Sequence, residues 1–202
     1  SSMRGWIGCG VVAIVVLLAV LVLGGWAIGI YNGLVRAQIG VDSAWSQVEN
    51  VYQRRMDLIP NLVETVKGAA EFEQSTFREV TEARAKASQI TMSPELMNDP
   101  ARFRQFQEAQ GELSGALSRL LVTVENYPQL TATQAFRDLQ SQIEGTENRI
   151  AVERRRFNET VQSYNTAVRV FPASMLAGVF GFREKAFFEA EAGADRAPKV
   201  EF

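Results

Sequence analysis

Carboxylates are the side chains whose type and spacing bring this sequence closest to catalytic or metal-binding chemistry. Four glutamates lie on segments with helical periodicity: Glu64, Glu144, Glu147 and Glu153. Helical bundles that bind metal ions commonly combine inward-facing glutamates with a Glu-x-x-His motif. The sequence contains no histidine, so it lacks the commonest general base and the commonest metal ligand. A carboxylate pair alone is possible in principle, but the composition disfavours an enzyme.

Other residue types and motifs that carry chemistry are also missing from the sequence. Its one cysteine, Cys9, falls inside an apolar stretch and cannot serve a soluble site, and a single cysteine excludes an intrachain disulfide. The sequence has no glycine loop for phosphate, no paired-cysteine site and no nucleophile elbow. A net charge of −2 gives no support for nucleic-acid binding. We therefore expect no enzyme activity, no metal, no cofactor and no nucleic-acid partner.

Two clusters of charge, one with Arg54 and Arg55 and one with Glu153 and Arg156, admit two interpretations. In the first, they are solvated helix faces with ion pairs three or four residues apart, such as Glu153 with Arg156. In the second, Arg54 or Arg55 meets an acidic patch on a partner or lipid headgroups. We favour the first, because mixed-sign charge at this spacing is typical of an exposed helix face.

No charged residue lies between Arg4 and Arg36. A helix of about 20 apolar residues crosses a bilayer core of roughly 30 Å. Trp6 and Trp26 are about 30 Å apart on a helix and fit the two interfaces, which leaves Ile7–Gly25 as the hydrocarbon part. A cleaved signal peptide would have a shorter apolar stretch and a small-residue cleavage site. The sequence predicts a retained anchor in the lipid bilayer.

The positive charges on the two sides of the anchor favour opposite membrane topologies. The Met3–Arg4 start favours an N-terminus inside the cell, which puts the larger part of the chain outside the cytoplasm. Positive charges at Arg36, Arg54 and Arg55 argue the other way. We expect a single-pass protein with an extracytoplasmic domain. The two serines ahead of Met3 look like residues added for expression.

Glycine recurs at every fourth position at the end of the anchor, at Gly25, Gly29 and Gly33. Such a stripe lets two membrane helices approach closely, so it is a candidate contact in a homo-oligomer. The alternative is that glycine is simply common in membrane helices. The spacing leaves both interpretations open.

The first segment beyond the anchor is periodic in apolar residues, with spacings of three and four that predict one buried helix face. These residues are Val41, Trp45, Val48, Tyr52, Ile59, Leu62 and Val66. Pro60 interrupts this run, and proline removes a backbone donor, so we expect a kink or break near Asp57 and a possible hinge at Pro60. Beside it, Asp57, Asn61 and Glu64 form a polar cluster that local capping of a broken helix would explain.

Two more long helices are predicted after a break between Ile90 and Pro100. Asp99 followed by Pro100 is a helix start, Tyr127–Pro128 ends the first of these helices, and Phe171–Pro172 ends the second. The stripe of the first is Phe103, Phe106, Leu113, Leu117, Leu120 and Val124. The stripe of the second is Phe136, Leu139, Ile143, Ile150, Phe157, Val161, Tyr164 and Val168. We predict an all-α fold, in which a transmembrane helix continues into an antiparallel up-and-down bundle of long helices.

Several motifs together resemble the LemA family of bacterial membrane proteins. They are Tyr31–Asn32–Gly33, the stretches 41–48 and 53–68, Glu125–Asn126–Tyr127–Pro128, Thr146–Glu147–Asn148–Arg149–Ile150, Tyr164–Asn165, and Phe180–Gly181–Phe182. The resemblance implies an anchor followed by a helical bundle, at the cell membrane of a bacterium. It implies no biochemical role, because none is established for the family. This chain has Phe72 where many relatives have histidine, so a proposal that needs that histidine fails.

Thr146 and Asn148 interrupt the stripe of the last long helix. A polar residue buried in a bundle seam fixes register at a cost in stability, which makes Asn148 a register candidate. Simple exposure is the alternative, and the sequence does not separate the two.

The segment after Pro172 is dense in apolar residues and is the strongest functional candidate. Phe180, Phe182, Phe187 and Phe188 are its candidate contacts to an oligomer or partner. In one interpretation the segment closes the bundle or packs along its side; in the other it docks on a neighbouring subunit or on a membrane. Mixed charge on the segment favours a protein over lipid.

The sequence thus predicts five segments. They are an N-terminal flank (1–5), an anchor and neck (6–35), a bundle (36–171), an apolar segment (172–190) and an acidic tail (191–202). The function expected is non-enzymatic self-assembly into a ring, lattice or cage at the membrane. The alternative is an adaptor that transmits a signal to an unknown membrane or extracytoplasmic partner protein through helix shifts.

Overall fold

The structure is a computed structural model that describes residues 2–68 and 74–189, with side chains described over 11–68 and 75–189. Every element of regular structure in these ranges is helical. Expectations for the side chains of Arg4, Trp6 and Cys9, for Phe72 and for the acidic tail lie outside the described residues.

Helix α1 comprises Ser2–Lys67, which is 66 residues. Its span from Val11 is long and apolar enough to cross a membrane, with a mean hydropathy of 3.0 in its most apolar window and no burial there. The chain therefore fits a single-pass membrane protein, and the expected continuity of anchor and first helix is confirmed. Of the expected kink or break near Asp57, the break is wrong, because α1 runs through Pro60. A kink there stays a prediction.

The helices after α1 begin and end close to the predicted positions. They are α2 (Gln74–Ser88), a 3₁₀ turn (Pro94–Asn98), α3 (Pro100–Val124), α4 (Pro128–Thr131), α5 (Gln134–Arg169) and α6 (Ala173–Val179). Asp99 caps α3 as predicted, since its carboxylate accepts hydrogen bonds from the backbone N–H groups of Ala101 and Arg102 at 3.0 and 3.1 Å. Proline at the first helical position completes this start.

The chain divides into two compact units. The first, here called the membrane unit, consists of Ser1–Gly40 and Gln162–Glu184; the second, the bundle unit, consists of Val41–Val161 and Lys185–Phe202. The core of the bundle unit contains all seven predicted stripe residues of α1 and all six of α3. The predicted stripe of α5 is also buried, except that Leu139 and Val168 are half-buried. Helical periodicity therefore identified the buried faces of these three helices correctly.

Candidate functional site

Arg55 is the most unusual side chain of the bundle unit, because it is 0 % exposed although it carries a full charge. Its Nη1 donates to Ser114 Oγ at 2.6 Å and to Glu147 Oε1 at 2.9 Å. Its Nη2 donates to the backbone oxygen of Gln110 at 3.3 Å and also to the side-chain oxygen of that residue. One guanidinium therefore connects α1 to both α3 and α5.

The burial of Arg55 follows from its place on α1. It lies three residues after Tyr52 and four before Ile59, so all three share the buried face. The guanidinium lies 5.0 Å from the centre of the Tyr52 ring, which adds a cation–π contact. The prediction that both arginines lie on a solvated helix face is therefore wrong for Arg55, which is buried, and right for Arg54, which is exposed. The spacing from Tyr52 was the sequence signal that could have identified the buried arginine.

Glu147 and Ser114 complete this polar cluster. Ser114 Oγ donates to Glu147 Oε2 at 2.9 Å, while Oε1 of the same carboxylate accepts from Arg55. Both oxygens of the Glu147 carboxylate therefore have partners, one on α1 and one on α3. Over the residues with described side chains, no group of three His, Cys, Asp or Glu residues could hold a metal ion. The cluster is a buried, hydrogen-bonded ion pair of the kind that joins helices.

A cleft of about 650 Å³ opens above this cluster. Its lining combines both signs of charge and includes Tyr52, Arg104, Gln107, Ser114, Glu147 and Arg154. Small residues at Gly111 and Gly115 leave room along one wall. The mixed charge suits a polar segment of a partner better than a small apolar ligand.

Pro60 sits within α1 without ending it, and a residue of α2 compensates for its missing donor. In an uninterrupted helix the N–H of residue 60 would bond to the carbonyl oxygen of Met56. Arg84 Nε donates to that oxygen instead, at 3.2 Å. The turn of α1 that precedes Pro60 is therefore hydrogen-bonded to α2. The role of Pro60 as a hinge stays a prediction.

Phe188 lies in an aromatic cluster of the bundle unit and is 3 % exposed. Its ring centre is 4.9 Å from that of Phe103 and 5.6 Å from that of Phe157. Asn158 holds its backbone, accepting from the Phe188 N–H at 2.9 Å and donating to the carbonyl at 2.8 Å. The prediction that Phe188 contacts a partner is therefore wrong, because the core of the chain buries this side chain. Phe187 is 54 % exposed and stays a candidate contact.

Trp45 belongs to the same cluster and bonds to a carboxylate at its edge. Its Nε1 donates to Glu49 Oε1 at 3.0 Å. Burial raises the pKa of Glu49 above its ordinary value, and the hydrogen bond from Trp45 opposes that effect. Glu49 is thus a half-buried carboxylate that the folded chain holds partly out of water.

In the membrane unit, the three glycines of the stripe lie on an open face of α1. A Cβ atom added at Gly25, Gly29 or Gly33 would meet nothing within 4 Å. Leu34 is nine residues after Gly25, about 180° around the helix, and it is buried. The stripe therefore faces away from the side of α1 that the membrane unit packs.

Tyr31 connects the neck of α1 to the C-terminal segment. Its ring centre lies 5.0 Å from that of Phe180 and 5.8 Å from that of Phe182, both in edge-on geometry. These two candidate contacts are therefore partly used within the membrane unit. Phe180 is nevertheless exposed, and Phe182 is half-buried.

Residues 44–202 match the sequence model of the LemA family, which is more than half of the chain. The chain belongs to the LemA family. It is 27 % identical over 181 residues to magnetosome protein MamQ of Magnetospirillum gryphiswaldense and 26 % identical to MamQ 1 of Paramagnetospirillum magneticum. Each match covers 82 % of this chain and 66 % of the MamQ protein, just under two thirds of its length. Protein LemA of Metamycoplasma hominis is 23 % identical over 163 residues, covering 81 % of this chain and 70 % of that protein.

The motifs that carry the LemA resemblance meet one another in the structure. Arg55, from the 53–68 stretch, pairs with Glu147, from the Thr146–Ile150 motif. Tyr31 contacts both aromatic residues of the Phe180–Gly181–Phe182 motif. The LemA-like residues therefore contact one another within each unit.

Asn148 of this LemA-family chain is exposed, so its placement in a buried seam is wrong. Thr146, two residues earlier, is the polar residue that α5 buries, and its hydroxyl donates to the carbonyl oxygen of Gln142 at 2.7 Å. A threonine satisfies its hydroxyl within its own helix in this way, whereas a buried asparagine would need a partner across the seam.

Proposed function

We propose that this LemA-family chain is a non-enzymatic, single-pass protein of the bacterial cell membrane that self-assembles into a homo-oligomer. We place its bundle unit on the extracytoplasmic side, because Arg4 lies directly ahead of the apolar stretch. The observation that carries the proposal is the open outer face of α1, where a Cβ atom added at Gly25, Gly29 or Gly33 would meet nothing within 4 Å.

The stripe runs from the end of the anchor into the neck. Trp26 favours the bilayer interface, so Gly25 and Gly29 lie near the level at which α1 leaves the bilayer. Gly33 comes three residues before Arg36, the first charged residue after the anchor. The face is thus suited to a helix that runs alongside α1 from the bilayer outward.

A second copy of α1 fits this face best. Glycines four residues apart let two identical helices approach closely, and a symmetric pair brings each stripe onto the other. This contact by itself gives a dimer. A ring, lattice or cage needs a second surface, and the exposed Phe187 of the bundle unit is our candidate for it.

The test is the mass of the purified chain in mild detergent. Gly29→Leu places a large side chain in the stripe and is expected to convert the oligomer to a monomer. Gly24→Leu is the matched control, because Gly24 lies off the stripe and an added Cβ meets nothing there either. A monomeric parent chain would refute self-assembly, and an oligomer that survives Gly29→Leu would refute the glycine contact.

The adaptor function is a second candidate, and the cleft above Arg55 favours it. A partner bound there would press on an ion pair that joins three helices, and it could shift them. Ser118→Trp fills the cleft, and Ser141→Trp is a control at an exposed position outside the cleft lining. A stoichiometric partner that co-purifies with the parent and the control, but not with Ser118→Trp, would support the adaptor.

A further inference from the structure

The membrane unit exposes an apolar surface far from the glycine stripe in sequence. It is formed by Val170, Phe171, Met175, Val179 and Phe180, here called the α6 surface. Phe171 is 73 % exposed and Val179 is 78 % exposed. Contiguous apolar surface of this kind marks a contact with protein or membrane rather than with water.

Tyr31 fixes the height of the α6 surface relative to the anchor. Tyr31 is five residues beyond Trp26, which is about 7.5 Å along the helix axis. Trp26 is a residue that favours the bilayer interface. Since the Tyr31 ring lies 5.0 Å from that of Phe180, the end of α6 stands beside the membrane exit of α1.

Arg36 marks the level at which charge begins. Its Nε donates to the backbone oxygen of Asn32 at 3.2 Å, so its guanidinium reaches back one turn toward the anchor. A positive group there suits lipid phosphates. Tyr31, and with it Phe180, lies on the apolar side of that level.

We propose that the α6 surface is inserted in the interface of the bilayer that α1 spans, as a second membrane contact of the chain. Apolar residues on a short interfacial element bury themselves at the boundary between headgroups and acyl chains. The surface is continuous with the anchor through the contact of Tyr31 with Phe180. That continuity assigns lipid as its occupant.

The charges of the membrane unit near the α6 surface are compatible with contact to lipid headgroups. Lys185 bonds to Asn98 at 2.6 Å and belongs to the bundle unit, so it does not count toward this surface. Within 169–184 two arginines, Arg169 and Arg183, stand against one acidic residue, Glu184, which leaves a net charge of +1. Glu184 pairs with Arg169 at 2.6 Å, and Arg183 is exposed. A net positive polar side suits the phosphates of lipid headgroups.

The experiment measures how deeply one α6 side chain lies in lipid. In a Cys9→Ser background, Val179→Cys carries a spin label, and the chain is placed as one copy per nanodisc of mixed zwitterionic and anionic lipid. Val122→Cys is the matched control, since Val122 is an exposed valine of the bundle unit. We expect the label at Val179 to collide freely with oxygen and to lose its collisions with a water-soluble nickel complex. The label at Val122 should show the reverse.

Equal nickel access at Val179 and Val122 in single-copy discs would overturn the proposal. If the label at Val179 were protected from nickel only in discs with two copies, the proposal would also be overturned, because a second chain rather than lipid would then cover the α6 surface. Met175→Cys repeats the measurement at a second α6 position. Gly29→Leu leaves the Val179 result unchanged if lipid covers α6, so failure of self-assembly and failure of this inference are separately visible.

Discussion

Arg84 Nε lies 3.2 Å from the carbonyl oxygen of Met56 and donates to it, and this is the acceptor that Pro60 leaves without a helical donor. A buried carbonyl without a partner is costly, and a proline inside a helix creates one. The bond from α2 removes that cost while it joins α2 to α1. The proline therefore acts as a docking point for a neighbouring helix in this chain.

Arg84→Met should lower the free energy of unfolding by about 1–2 kcal/mol, because it removes the donor and keeps the apolar stem. In a Pro60→Ala background the loss should be smaller, since the N–H of the new alanine bonds to Met56 in the ordinary helical way. Chemical denaturation of the full chain in detergent, followed by circular dichroism, gives the four values of this double-mutant cycle. An equal loss in both backgrounds would show that Arg84 acts independently of Pro60.

Glu147→Ala should cost more stability than Arg55→Met, although both break one ion pair. The first leaves a guanidinium buried without its carboxylate, at a cost of about 3 kcal/mol or more. The second leaves a carboxylate whose side chain is 32 % exposed and can turn toward water. Glu144→Ala, one turn earlier on α5 and exposed, is the control and should change stability by less than about 0.5 kcal/mol. Denaturation of the same preparations ranks the three, and equal costs for Glu147→Ala and Arg55→Met would contradict the asymmetry.

The helices and their buried stripes were predictable from sequence because both depend on local order. Apolar residues three and four apart bury one helix face wherever the helix goes, so Trp45, Phe106 and Phe157 could be assigned to the core directly. Asp99 before Pro100 starts α3 by a local hydrogen bond, which sequence also reveals.

Long-range contacts limited the rest of the prediction. Charge usually lies outside, which favours a solvated face for Arg55, and its burial depends on partners distant in sequence, such as Glu147, 92 residues later. Pro60 predicts a kink or break in α1, since the donor on Arg84 belongs to a helix that sequence does not place beside it. Phe188 follows the last helix and has no periodicity to assign it to the core.

Phe188→Ala should lower the free energy of unfolding by about 3–5 kcal/mol, because it empties the centre of an aromatic cluster. Phe187→Ala removes the same side chain from a largely exposed neighbouring position and should cost less than about 0.5 kcal/mol. Thermal denaturation of the two variants compares them. A truncation after Pro172 also removes Phe188, so it should destabilise the bundle unit as well as any assembly. Equal stability of the two alanine variants would exclude Phe188 from the core.

Glu49→Gln should stabilise the chain increasingly as pH rises through the raised pKa of Glu49. Burial raises the pKa of Glu49 above 4.5 in the folded chain, so the folded state binds this proton more tightly than the unfolded state. Its contribution to stability is therefore complete below pH 4.5 and is lost as pH rises through the raised pKa. Glutamine carries no such proton and keeps an oxygen that accepts from Trp45 Nε1. The difference should stay below about 1 kcal/mol, because Glu49 is only half-buried. Denaturation of both chains at several pH values measures it, and a difference that does not vary with pH would mean that burial leaves the pKa of Glu49 unchanged.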